Sequence, residues 1–81
     1  MSFGSEYHAR FENLSYAIGY YRKRRGLSQE QLAEHVGISR QHLAAIESPN
    51  MDRGLSFELL FRIADALEVE PYLFLKFNPE I

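Results

Sequence analysis

The chain has 81 residues, of which 46% are hydrophobic and 25% charged, so it can form one domain with a modest core and is not intrinsically disordered. It has no cysteine, which excludes disulfides and thiol catalysis and fits a cytoplasmic, reducing setting, and it has no signal-peptide pattern or membrane-length apolar run. The formal net charge of -2 weighs mildly against a nucleic-acid-binding protein, although the distribution of charge matters more than its sum.

A first helix is predicted from about Glu6 to Arg25. Residues 1–5 are interpreted as a loose start in which Ser5 can cap the helix, and Gly26 ends it. The basic run R-K-R-R at 22–25 suits a helix C-terminus. The residues whose three- and four-residue spacing indicates this helix are Tyr7, Phe11, Leu14, Ile18, Tyr21 and Arg25.

Residues 28–47 predict two short helices around a glycine turn. Ser28 and Gln31 form an S-x-x-Q capping box, and the second helix runs from about Gln29 to Val36. Gly37 stands where a left-handed turn residue is needed. Ser39 can cap a third helix from about Arg40 to Glu47. Two helices joined in this way form a helix-turn-helix motif, which indicates duplex DNA as the ligand.

Two more helices complete an all-α prediction. Ser56 caps a fourth helix, F-E-L-L-F-R-I-A-D-A-L, and Pro71 begins a short fifth one, P-Y-L-F-L. The tail at 77–81 is expected to be loose, because Pro79 cannot continue a helix. The single domain thus has a core of about residues 6–76. The core stripe of the fourth helix is expected to be Leu59, Leu60, Ile63, Ala64 and Leu67.

The outward face of the third helix carries the candidate base contacts. With 100° between residues, Leu43 and Ile46 point inward. Arg matches guanine O6 and N7, Gln matches adenine N6 and N7, and a small apolar side chain can touch a thymine methyl. The alternative is an ordinary solvated helix face. The candidates on the outward face are Arg40, Gln41, Ala44 and Ala45, with His42 on a flank.

Phosphate contacts are expected around this helix. Residues 1–53 carry seven Lys/Arg and six Asp/Glu and residues 54–81 carry two and five, so the first part can be locally basic. Gln29 begins the second helix, where free N–H groups can hold a phosphate. Lys23, Arg24, Arg25 and Arg53 are further candidates, for which a solvated surface charge is an equal alternative.

Arg22 and Glu47 have a different expected role. Each lies beside the apolar stripe of its helix rather than opposite it. If the first and third helices pack together, the two charges can form a structural ion pair at the core margin.

Enzyme and metal chemistry are not expected. His8, His35 and His42 form no metal-ligand pattern, and there is no glycine-rich phosphate loop or acid cluster, so no cofactor is predicted. The C-terminal aromatic residues are more numerous than so small a core needs. We expect some of them to form a partner surface, with Phe74 and Phe77 at a dimer interface.

The sequence resembles the Cro/CI-type helix-turn-helix family, also called the XRE family, over about residues 14–75. The matching stretches are R-K-R-R-G-L-S-Q-E-Q-L-A-E-H-V-G-I-S-R-Q-H-L-A-A-I-E and L-L-F-R-I-A-D-A-L-E-V. The resemblance implies a compact five-helix, lambda-repressor-like domain that binds operator DNA, commonly as a two-fold dimer. The loop after Glu47 is longer than usual, with Pro49 and Asp52, where the family often places basic residues.

The resemblance also implies residue roles. Arg40, Gln41 and Ala45 lie where the family contacts bases, with His42 and Ala44 close by. Gln29 and Ser39 lie where it holds phosphates, and Arg22 and Glu47 match its Arg–Glu pair.

The sequence therefore predicts a repressor-like transcriptional regulator that binds double-stranded DNA as a homodimer; a phage-type repressor and an antitoxin are variants of this function. The alternative is a protein-interaction module of the same fold with weak or no DNA binding. The acidic total charge and the aromatic residues favour that alternative, and Arg40, Gln41 and the basic run at 22–25 argue against it.

Overall fold

The computed structural model describes residues 3–49 and 55–76, with side chains from residue 7 onward. Within these ranges the chain is all-α, as predicted, and contains no strand. No helix in the described part is long and apolar enough to cross a membrane. The five described helices are α1 (Phe3–Arg24), α2 (Gln29–Val36), α3 (Arg40–Ile46), α4 (Phe57–Leu67) and α5 (Tyr72–Lys76).

The bounds of α2 and α4 are those that the sequence predicts, whereas the other helices differ at their ends. Helix α1 begins at Phe3, so the predictions of a loose start and of a cap at Ser5 are wrong for residues 3–5. A single Gly and a Ser each cost a helix no more than about 1 kcal/mol, which is too little to stop it. Helix α3 ends one residue before Glu47, and α5 begins one residue after Pro71. Residues 77–81, predicted to be a loose end, lie outside the described residues.

Residues 28–42, which include the turn between α2 and α3, have the predicted local chemistry. The Ser28 hydroxyl accepts a hydrogen bond from the Gln31 backbone N–H at 3.0 Å, and the Gln31 side chain accepts one from the Ser28 backbone N–H at 2.8 Å. Gly37 has a φ of 89°, a left-handed conformation that suits glycine. The Ser39 hydroxyl accepts from the His42 backbone N–H at 3.0 Å. The capping box, the glycine turn and the second cap are thereby confirmed.

The hydrophobic core lies between the second half of α1 and the other helices. Among the α1 residues at three- and four-residue spacing, Ile18 is fully buried, Phe11 and Tyr21 are half-buried, and Tyr7 is exposed. Leu59 of α4 is also half-buried, because it stands at the edge of its stripe. The buried hydrophobic residues are Ala17, Ile18, Leu32, Ala33, Val36, Leu43, Ile46, Leu60, Ile63, Ala64, Leu67 and Phe74.

A strip of three residues on α1, Ser15, Gly19 and Arg22, faces the C-terminal end of α3. Their spacing of four and three residues places them on one side of the helix. The buried Ser15 hydroxyl donates a hydrogen bond to the Ile46 carbonyl at 2.8 Å. A Cβ atom at Gly19 would lie 3.3 Å from a carboxylate oxygen of Glu47, so the glycine permits this close approach. The strip holds the end of α3 against α1 by polar contacts.

Arg22 and Glu47 form a nearly buried ion pair, with side chains 9% and 8% exposed. The guanidinium donates to both carboxylate oxygens, from Nε at 2.7 Å and from Nη2 at 2.9 Å. Its Nη1 donates to the Leu27 carbonyl at 2.7 Å, and the Gln29 amide donates to Glu47 at 3.1 Å. The carboxylate therefore connects α1, the start of α2 and the end of α3.

Removing one partner of this pair should destabilise the fold strongly. We expect Arg22→Met to lower the free energy of unfolding by about 3–5 kcal/mol, because it leaves the Glu47 carboxylate nearly buried without its counter-charge. The double variant Arg22→Met/Glu47→Leu should recover more than half of that loss, since it removes both charges. Urea unfolding measures both values, and a single-variant loss below about 0.5 kcal/mol, the range of ordinary surface substitutions, would contradict the structural role.

Candidate nucleic-acid interface

The outer face of helix α3 carries polar and small side chains, and its inner face is buried. Leu43 and Ile46 are buried, at 0% and 4% exposure, so the helix cannot rotate without exposing them. Ala44 is half-buried rather than fully outward, because it stands only 100° from Leu43 around the helix. The exposed residues of this helix are Arg40, Gln41, His42 and Ala45.

A surface recess lies where the start of α2 meets the start of α3. Its lining includes Arg22, Ser28, Gln29, Gln31 and Arg40, so the structure brings two of the sequence candidates, Gln29 and Arg40, to one place. One amide hydrogen of Gln29 is committed to Glu47. A side-chain amide has two N–H donors, so the second remains chemically able to bind a phosphate oxygen.

Beyond the nearly buried Arg22, the basic residues at 23–25 are exposed, but two of them have partners in the same chain. Arg24 donates to the Tyr20 hydroxyl at 3.0 Å, and Arg25 forms an ion pair with Glu68 at the C-terminal end of α4. Lys23 is exposed beside them. Arg53 lies outside the described residues, as does most of the loop that follows Glu47. Within the described part, no group of three His, Cys, Asp or Glu residues could hold a metal ion.

Arg62 of α4 contacts the helix-turn-helix turn, and sequence patterns gave no indication of it. Its Nη2 donates to the Val36 carbonyl, the last of α2, at 2.7 Å. A Cβ atom at Gly37 would lie 3.1 Å from the same nitrogen, so the guanidinium packs against the turn glycine. On the sequence Arg62 resembles any charged residue on the outer side of an amphipathic helix.

The expected dimer contact at Phe74 is wrong in its placement. Phe74 is 1% exposed and packs against Tyr21 with 5.9 Å between ring centroids, so the fold of this chain already buries it. Phe77 lies outside the described residues. The aromatic side chains that are exposed include Phe57 at 74% and Phe61 at 50%, which stack on α4 with 6.2 Å between centroids.

The structure has two helices joined by a left-handed glycine. The inner face of the second helix is buried in the core, and its outer face is polar. These features define a DNA-binding helix-turn-helix protein. The chain belongs to this family, since the family model described as helix-turn-helix matches residues 18–74. The family is of the XRE type, and its members are transcription regulators, a non-enzymatic kind of protein.

Three known proteins illustrate the similarity. The uncharacterized HTH-type transcriptional regulator MJ0272 of Methanocaldococcus jannaschii is 47% identical over 47 residues, which are 58% of this chain and 68% of that protein. The restriction-modification controller protein C.AhdI from Aeromonas hydrophila superposes with a TM-score of 0.74 and 29% identity, over 82% of this chain and 97% of that one. The hypothetical transcription factor NHTF from Neisseria gives 0.77 and 27%, over 90% and 80%.

Proposed function

We propose that this protein is a repressor-like transcriptional regulator that binds an operator as a two-fold dimer, with α3 of each copy in the major groove. The observation that carries the proposal is the outer face of α3, which is polar at its N-terminal turn, small beyond it and held on buried Leu43 and Ile46. A major groove about 12 Å wide admits such a helix. Two copies would occupy successive grooves, one helical turn apart.

The proposed base contacts follow from side-chain chemistry. Arg40 would donate two hydrogen bonds to a guanine, and Gln41 would pair with an adenine. Ala45 is exposed and would contact a thymine methyl, with the half-buried Ala44 close by.

The proposed backbone contacts surround α3. The Ser39 hydroxyl accepts a hydrogen bond from a backbone N–H, so its own proton can be donated to a phosphate. Ser39 and Gln29 would position the duplex, and the exposed cations would neutralise phosphates without reading sequence. Besides these two, the proposed phosphate-contacting or flanking residues are Lys23, Arg24, His42 and Arg53.

The names of the similar proteins support regulation of transcription rather than another use of the fold. One is called a transcriptional regulator, one a controller protein of a restriction-modification system and one a hypothetical transcription factor. From these names we propose for this chain only a regulatory role on DNA. We also propose that it acts in the cytoplasm.

Arg40→Ala is the sharpest test of base recognition. On an operator selected from a random duplex library, we expect it to weaken binding by about 1–3 kcal/mol, because a bidentate guanine contact is lost. Binding to mixed-sequence duplex should change much less. The matched control is Lys23→Ala, which should weaken binding to every sequence alike. An equal loss for Arg40→Ala on both duplexes would make Arg40 a phosphate contact and refute its base contact.

The dimer needs an apolar surface, and the stacked pair Phe57 and Phe61 supplies one. Aromatic side chains bury about 150–250 Å² each, so the exposed parts of these rings in two copies would cover roughly 500 Å². That area is a substantial part of the total of about 1,200–2,000 Å² buried in a stable interface. We therefore propose that a second copy of this chain covers the pair.

Phe61→Ser should dissociate the dimer. Removing a central aromatic contact should raise the dimer dissociation constant at least about tenfold, as measured by sedimentation equilibrium. Tyr72→Ser is the control, because Tyr72 is also an exposed aromatic residue, at 57%, but lies on α5. A wild-type monomer, or an equal effect of both variants, would contradict this surface.

A second candidate function is a protein-interaction module that has lost DNA binding. The net charge of -2 and the exposed aromatic pair favour it. Binding to mixed-sequence duplex across a salt series separates the two functions. DNA binding should weaken with a slope of about -0.9 per neutralised phosphate in a double-logarithmic plot, whereas absent or salt-independent binding would favour the interaction module.

A further inference from the structure

Arg62 supplies a hydrogen-bond donor to the Val36 carbonyl, which the two backbone hydrogen bonds that close the turn do not use. The N–H groups of Gly37 and Ile38 both donate to the Ala33 carbonyl, at 2.8 and 3.0 Å. These bonds close the turn without using the Val36 carbonyl. The Arg62 guanidinium supplies a charged donor to that carbonyl, at 2.7 Å. Hydrogen bonds that involve an ionised group are stronger than those between neutral groups.

Arg62 also limits where the turn can move. The guanidinium lies so close to Gly37 that an added Cβ atom would be 3.1 Å from Nη2. Arg62 thus contacts the turn at two neighbouring residues, Val36 and Gly37. Glu58, one turn earlier on α4, has a carboxylate oxygen 4.0 Å from Nη1 of the same guanidinium.

This contact links the body of the protein to the N-terminal end of α3. Helix α2 packs against both α3 and α4, and α3 starts directly after the turn that Arg62 holds. The opposite end of α3 is fixed on α1 by Ser15 and Arg22. The angle of α3 therefore depends on one polar contact network at its C-terminal end and on the Arg62 contact before its N-terminal end.

We propose that Arg62 is a positioning residue for DNA recognition: by holding the Val36 carbonyl and packing on Gly37, it fixes the angle at which α3 presents Arg40 and Gln41 to the bases. The proposal rests on the proposed function. Base contacts depend on direction and distance more than phosphate contacts do, because side chains reach phosphates from many angles. Loss of the Arg62 contact should thus lower specificity more than general affinity.

The test compares Arg62→Met with wild type. Methionine keeps an aliphatic stem of similar length and removes the donor and the charge. The measured quantity is the ratio of affinity for the selected operator to affinity for mixed-sequence duplex, at one salt concentration. We expect the ratio to fall about tenfold, within the range of substitutions that modulate a binding site without touching its ligand. Sedimentation should establish that each variant is compared in the oligomeric state of wild type.

Two further variants separate positioning from charge. Lys76→Met removes an equal charge from the end of α5 and should leave the ratio unchanged. Arg62→Lys restores a charge and a donor and should recover part of the ratio. If Arg62→Met lowers both affinities by the same factor, Arg62 acts through its charge and the proposal is overturned.

Nuclear magnetic resonance of the DNA-free protein gives an independent measurement. In Arg62→Met the Val36 carbonyl carbon and the Gly37 and Ile38 amides should shift, whereas in Lys76→Met they should not. Shifts without a change in the ratio would mean that the contact exists but does not position α3, which refutes this proposal alone. If wild type binds no duplex at all, the proposed function fails, and the positioning role fails with it.

Discussion

The Glu47 carboxylate, shared by Arg22 and Gln29, is the contact on which the placement of α3 depends. Helix α3 has seven residues, and isolated helices of that length are unstable in water. Its shape and orientation must come from tertiary contacts. Two buried side chains set its depth, but apolar packing alone has little directional preference. The bidentate ion pair adds direction, and Gly19 allows the carboxylate to come close to α1.

The sequence was most informative where structure is decided locally. Two sequence signals, each contained within one helical turn, placed both ends of α2 correctly. They are the capping box of Ser28 and Gln31, and Gly37 after Val36. The helical wheel also placed Arg22 and Glu47 beside their apolar stripes, and the structure joins them. This succeeded because a charge at the edge of a buried face needs a partner, which narrows the choices within a small chain.

The differences arose where a side chain depends on elements distant in sequence. Phe74 belongs to a helix so short that no periodicity separates its inner and outer sides, and packing on α1 buries it. Arg62 lies on the polar side of its helix, so its contact with Val36, 26 residues away, leaves no trace in the local pattern. The bond from Gln29 to Glu47, which the sequence did not predict, follows only from the packing of three helices.

The distribution of charge explains why the proposed dimer would bind DNA more strongly than a single copy. Some arginines form ion pairs with carboxylates of the same chain, and they therefore contribute less to the positive electrostatic potential at a DNA phosphate. The pairs are Arg22 with Glu47, Arg25 with Glu68, and Arg62 with Glu58. The proposed phosphate contacts of one copy then rest on few cations, whereas electrostatic affinity for DNA grows with the number of phosphates neutralised. A second copy doubles that number without changing the acidic body of either chain. Under the proposed function, two-fold assembly therefore compensates for a net charge that would keep a single copy weakly bound.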